Sequence, residues 1–154
     1  MGIEIERKFL VQGDAWRTLG TPILYRQGYL PTQDGVTARA RIAGERAYLT
    51  LKGKSQGYSR AEYEYPIPLK DAEEILETLC AQPLIEKYRY AIPQGDLVWE
   101  VDEFLGENQG LILAEVELEQ EDQAVTLPPW IGAEVTGDRR YDNASLARHP
   151  YRRW

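Results

Sequence analysis

Apolar and polar side chains alternate with a period of two along most of this chain, and β-branched and aromatic residues fill the alternating runs. Such alternation marks strands with one apolar and one polar face. It predicts strands at Ile3–Val11, Leu24–Leu30, Val36–Ala43, Ala47–Lys52, Ser59–Ile67, Ile85–Ile92, Leu97–Phe104 and Leu111–Leu118. The connections Thr32-Gln33-Asp34-Gly35, Ala43-Gly44-Glu45 and Gln94-Gly95 each offer a glycine for the positive φ that a tight reversal demands. Eight strands at regular spacing predict a mainly β fold, an antiparallel β-barrel closed on itself.

Two segments switch to helical spacing. Lys70–Ala81 reads as a helix that turns Ile75, Leu79 and Cys80 toward the core, and Asp142–Arg148 reads as a second, started by Asp142 or Asn143 and stopped before Pro150. Glu119–Asp138, with Pro128-Pro129-Trp130, reads as an irregular connection or a short helix and loop. No repeat or linker divides the chain, and 154 residues suit a single domain spanning 1–154.

Composition narrows the function classes. A net charge of −7 opposes the basic footprint of a nucleic-acid binder or a membrane-surface protein, so a polyanionic ligand must be held locally. The single Cys80 excludes an internal disulfide, and with the single His149 it leaves no set for zinc or for a thiol–imidazole pair. Cys80 reads as a buried structural thiol and His149, beside Pro150 in a basic tail, as a surface residue. No run reaches the length of a membrane span and the acidic start lacks a signal peptide's pattern, which predicts a cytoplasmic protein.

The polar faces carry the chemistry. Residues two apart in a strand share a face, which groups Glu4, Glu6 and Lys8; Arg39 and Arg41; Lys52; Arg60, Glu62 and Glu64; Lys87 and Arg89; Glu100 and Asp102; and Glu115, Glu117 and Glu119. Such stripes are compatible with the solvated side of an amphipathic sheet, with Ile3, Ile5, Leu49, Leu51, Val101, Val116 and Leu118 facing the core. Several strands, however, are of one sign. Like charges about 7 Å apart in one strand repel by roughly 1–2 kcal/mol at an effective dielectric near 20, so groups of opposite sign belong between them. If the stripes line a barrel interior, the basic groups need an anion with several phosphates and the carboxylates need hard cations. A Mg²⁺ or Mn²⁺ complex of a polyphosphate meets both demands. The apolar outer faces then need cover from the two helices or from a partner subunit, and a homodimer is compatible with this arrangement.

Two short motifs are decoys. Gly53-Lys54-Ser55 lacks the earlier glycine of a phosphate-binding loop and opens no helix, so it reads as a hairpin. Asn143-Ala144-Ser145 has the spacing of a glycosylation site, which an intracellular chain does not use. Tyr29 and Tyr88 read as packing residues, with the tunnel wall as the alternative.

The opening Glu4-Ile5-Glu6-Arg7-Lys8-Phe9-Leu10 resembles the ExExK signature of the CYTH domain, the triphosphate tunnel metalloenzymes. The resemblance continues through Arg26-Gln27-Gly28-Tyr29-Leu30, Arg39-Ala40-Arg41, Leu51-Lys52, Ser59-Arg60-Ala61-Glu62-Tyr63-Glu64, Glu86-Lys87-Tyr88-Arg89-Tyr90, Glu100-Val101-Asp102 and Glu115-Val116-Glu117, and covers almost the whole chain. It implies an eight-stranded tunnel with the active site inside and a C-terminal helix plugging one end. It also implies divalent metal on Glu4, Glu6, Glu115 and Glu117, with Glu62, Glu64, Glu100 and Asp102 as further tunnel carboxylates that orient basic groups or help to hold a second metal. Phosphates fall to Lys8, Arg39, Arg41, Lys52, Arg60, Lys87 and Arg89, and the catalytic set becomes Glu4, Glu6, Lys8, Lys52, Arg60 and Glu62. The implied activity is hydrolysis of inorganic triphosphate. The alternatives are a thiamine or nucleoside triphosphatase, an adenylate cyclase, and a polyphosphate-binding barrel without turnover.

Overall fold

A computed structural model describes residues 2–154. Nine strands run in the order β1 Gly2–Val11, β2 Pro22–Leu30, β3 Thr37–Ala43, β4 Arg46–Lys52, β5 Ser59–Ile67, β6 Ile85–Gln94, β7 Leu97–Phe104, β8 Ile112–Glu117 and β9 Ile131–Glu134. Helix α1 spans Leu69–Thr78 and α2 spans Asn143–Arg148. Every pairing is antiparallel, and neighbours follow the order β5-β4-β3-β2-β6-β7-β8-β1, which β1 closes by pairing with β5. The barrel therefore has eight strands, and short β9 lies outside that ring against Phe9 and Val11 of β1.

The turns explain part of the closure. Ala43 and Arg46 are paired across a two-residue loop, so Gly44 occupies the first loop position with φ +61°, where a side chain on an L-residue is strained. Gly28 has a different reason. A Cβ there would stand 2.7 Å from Leu84 Cδ2 and 2.8 Å from Cys80 Cβ, because β2 passes close beneath the end of α1 and the start of β6.

Alternation sends most apolar residues outward, where two covers bury them, and a third apolar group closes one end of the barrel. Phe9, Trp99, Val101, Ala114 and Val116 form the largest outer cluster, capped by Trp16 from the 3₁₀ turn Ala15–Thr18 and by Trp130. Their rings meet edge to face, Trp99 with Phe9 at 5.6 Å and with Trp130 at 5.9 Å. Helix α1 lays Ala72, Leu76 and Cys80 over Ala40, Ile42 and Ala47. At one end of the barrel Tyr141 and Leu146 of the C-terminal segment pack on Ile85, Phe104, Leu111 and Leu113, which makes α2 a plug.

Several expectations need correction. Helix α1 ends at Thr78, so Leu79 is its C-cap and is exposed, while Ala72 and Leu76 hold the buried stripe and Ile75 packs at its edge. The segment 119–138 contains a strand, β9. The helices are not the only cover, since the tryptophans of two irregular segments shield the largest cluster. Ile3 and Leu51 face outward without full cover and stay 68% and 39% exposed. Among the described residues no helix is long and apolar enough to cross a membrane.

Candidate functional site

The charged stripes point into the barrel. They line a cavity of about 330 Å³ whose wall includes Glu4, Glu6 and Lys8 of β1, Arg39 and Arg41 of β3, Lys52 of β4, Arg60, Glu62 and Glu64 of β5, Lys87 and Arg89 of β6, Glu100 of β7 and Glu115 and Glu117 of β8. Asp102, beneath the cavity wall, is bound to two of these cations. The register makes this convergence: Glu4 stands opposite Arg60, Lys52 opposite Glu62, Lys8 opposite Glu115 and Arg89 opposite Asp102.

Ion pairs order the side chains of the lumen. Lys52 Nζ donates to both oxygens of Glu4 at 2.8 and 3.0 Å and lies 3.7 Å from Glu62, and Arg60 Nε reaches Glu4 at 3.4 Å. Asp102 accepts from Lys87 at 2.6 Å and from Arg89 at 2.7 and 2.8 Å. Lys87 also donates to the Asn143 side chain at 2.9 Å, and Lys8 donates to the Tyr141 carbonyl at 3.2 Å, so the plug touches the lumen through its own polar groups. Arg39 donates to Thr50 at 3.2 Å, but its buried Nε has no partner. Unpartnered buried donors are costly.

Electrostatics divide the carboxylates. Burial and then the neighbouring Glu115 and Glu4 push the Glu6 carboxyl well up. Burial opposes the charge of Glu115, yet Lys8, a hydrogen bond with Glu6, Arg89 and Lys87 hold it well down. Burial likewise works against Glu4 and Asp102, and their lysine and arginine partners outweigh it. Glu62 and Glu117 are pushed up, first by burial and then by Glu4. On the basic side, burial and the repulsion of Arg39 and Arg89 lower Arg41 to about 9. Burial lowers Lys87 to about 7, with Asp102 opposing that shift and Arg89 and Arg41 adding to it.

The donor chemistry fits a hard divalent cation. The carboxylates around Glu4 supply only oxygen ligands, and Glu6, Glu62 and Glu117 are raised first by burial and then by neighbouring carboxylates, a cost that a divalent cation would offset. Among the described residues no three carboxylates meet at one point as the side chains stand, because Lys52 engages Glu4 and Lys8 lies against Glu115.

The structure brings every singled-out charge into or directly beneath one lumen, apart from Glu119 beyond the end of β8. It also adds residues that a search for charge passes over. The Tyr25 ring stands between Arg41 and Arg89, each guanidinium carbon 4.9 Å from its centroid. Gln27 accepts from Arg41 Nε at 2.9 Å and donates to the Tyr29 hydroxyl at 2.8 Å. Tyr29 thus lines the lumen, which corrects its reading as a plain packing residue, whereas Tyr88 faces outward. Tyr25, Gln27 and Tyr29 lie two apart in turn and so share one face of β2, but the sequence does not say which charged neighbour each meets.

A closed antiparallel barrel with a lumen of paired cations and carboxylates defines a tunnel protein for a polyanion. The CYTH domain model matches residues 2–151, and the chain belongs to that family. It is similar to the inorganic triphosphatase of Acetivibrio thermocellus, 53% identical over 99% of this chain and 97% of the relative. It is similar as well to the inorganic triphosphatase of Nitrosomonas europaea, 44% identical over 94% of this chain and 96% of the relative. A crystal structure of an inorganic triphosphatase superposes with a TM-score of 0.64 at 38% identity, covering 96% of this chain and 95% of the other.

Proposed function

We propose that this chain hydrolyses inorganic triphosphate to pyrophosphate and phosphate in the barrel lumen, with two divalent ions, Mg²⁺ or Mn²⁺, bound beside the phosphates. The observation that carries the reading is the convergence of seven lysine and arginine side chains from five strands on one enclosed cavity. The relatives named as inorganic triphosphatases support it. Glu4, Glu6, Glu115 and Glu117 would hold the metal, with Glu62, Glu64 and Asp102 completing or orienting the set. Such ions, when bound, neutralise phosphate charge and lower the pKa of a bound water.

The chain's own part is positioning and charge stabilisation. Arg39, Arg41, Arg60 and Arg89 offer planar forks that match phosphate oxygens. Lys8, Lys52 and Lys87 add point charges around the same cavity. In the reaction an oxygen of water bonds to the terminal phosphorus while the anhydride P–O bond to the pyrophosphate breaks. The lumen carboxylates then stand where the released proton can be taken up. The domain is proposed to be one unit over residues 1–154, and the setting cytoplasmic, in keeping with its acidic composition and unpaired cysteine.

The test is phosphate release from inorganic triphosphate, ATP, thiamine triphosphate and pyrophosphate, with Mg²⁺, Mn²⁺ or EDTA, and with cyclic AMP measured alongside. Inorganic triphosphate should be preferred and EDTA should abolish turnover. Glu4→Ala, Glu6→Ala and Lys8→Ala should each lose at least about 100-fold in kcat while retaining the β circular-dichroism spectrum. Near-parental rates in those variants would refute the assignment.

A further inference from the structure

The lumen does not account for all the unpaired positive charge near it. The last sixteen residues carry five arginines against one aspartate, in a chain whose net charge is −7. Arg140 is paired with Asp138 at 2.8 Å, and Arg153 lies 3.9 Å from Glu107. Arg139 and Arg148 are exposed and, among the described residues, have no carboxylate within 4.0 Å; the same is true of Lys54 in the loop between β4 and β5.

These three cations border one groove. It measures about 330 Å³ and runs between the β2–β3 turn, the β4–β5 loop and α2. Tyr29, Arg60 and Asp142 line both the groove and the lumen, so the two spaces adjoin. The groove's own carboxylates are Asp34 and Asp142, and Asp142 lies 3.8 Å from Lys8 of the lumen. The β2–β3 turn passes close to Lys54: a Cβ added at Gly35, φ +77°, would stand 3.2 Å from Lys54 Cγ. Glu64, Glu100 and Glu117 line the lumen but not the groove, and the first two have side chains 42% and 41% exposed. Glu64 and Glu100 are paired with Arg39 and Arg89, so an anion arriving on their side meets ion pairs, whereas one arriving along the groove meets unpaired cations.

We propose that this groove is the vestibule through which an inorganic phosphate chain reaches the lumen, with Lys54, Arg139 and Arg148 as its guiding residues. The proposal rests on the triphosphatase reading and adds the route to it. A highly charged anion is repelled by an acidic molecule at long range, and a local strip of unpaired cations converts that repulsion into steering, an effect that salt removes. The guiding residues lie outside the lumen, so they act on arrival and not on the chemical step.

The experiment compares the parent protein with the triple variant K54Q/R139Q/R148Q and with the off-groove control R152Q/R153Q, on inorganic triphosphate with Mg²⁺, from low ionic strength to about 0.5 M salt, where the Debye length falls well below 10 Å. At low salt the triple variant should keep kcat within twofold while kcat/KM falls about 10-fold or more, the gap should close at high salt, and the control should follow the parent. An unchanged kcat/KM at low salt overturns the proposal. So does a loss that persists at high salt, or an equal loss in the control. If the parent itself releases no phosphate, the triphosphatase reading falls separately. The vestibule is then judged by calorimetry with inorganic triphosphate: affinity weakened in the triple variant at low salt alone supports it, and unchanged affinity overturns it.

Discussion

At the scale of single residues, the lumen sets stability against use. Glu6 has its carboxyl pushed up by burial, Glu115 and Glu4, so in the metal-free protein its ionised form works against folding at pH values above its raised pKa. Glu6→Gln removes that repulsion while keeping the shape. The variant should therefore unfold at higher temperature than the parent in EDTA at neutral pH, by about 0.5–2 kcal/mol in free energy, and should lose turnover. Asp102 shows the opposite sign. Its folded pKa lies below the ordinary value of 3.8, so its contribution is present above that value and disappears as the pH falls through the folded pKa. Asp102→Asn should cost about 3–5 kcal/mol by leaving Lys87 and Arg89 buried without their carboxylate, and urea titrations should show a flatter loss of stability below pH 4 than in the parent. The charged members of the site were legible in the sequence because a period of two assigns a face. Tyr25, Gln27 and Asn143 were not, since each acts by holding a charged neighbour and nothing in an uncharged side chain announces which arginine or lysine it will meet.

At the scale of elements, the strands were readable because apolar outward and charged inward residues alternate along most of them, and the observed ends differ from the expected ones by at most two residues. Strand β9 escaped because it has four residues, follows two prolines and is ordered by pairing with β1 rather than by its own pattern. Leu79 was misplaced for a related reason. Its spacing continues the helical stripe, but the helix stops one residue before it. The plug is the element on which the lumen depends most. Leu146 is fully buried among Ile85, Phe104, Leu111 and Leu113, so Leu146→Ala should cost about 2–5 kcal/mol in urea unfolding. Because Asn143 and the Tyr141 carbonyl hold Lys87 and Lys8, the same change should raise KM for the phosphate substrate more than a surface substitution of equal destabilisation.

At the scale of the whole molecule, seven of the eight barrel strands place charges around one axis, while tryptophans and α1 cover the outside. The closure itself is slight. β1 meets β5 only from Gly2 to Ile5, after which its partner on that side becomes β9. Glu4 lies in this four-residue clasp, and its links to Lys52 and Arg60 cross it from within. The clasp is thus fastened partly by the cargo space it encloses. Amide deuteration should be fastest here among the barrel strands, at Ile3, Ile5, Ala61 and their neighbours, and should slow when inorganic triphosphate fills the lumen. A bulky fusion ahead of Gly2 should prise the same point apart, whereas one placed after Trp154 should not.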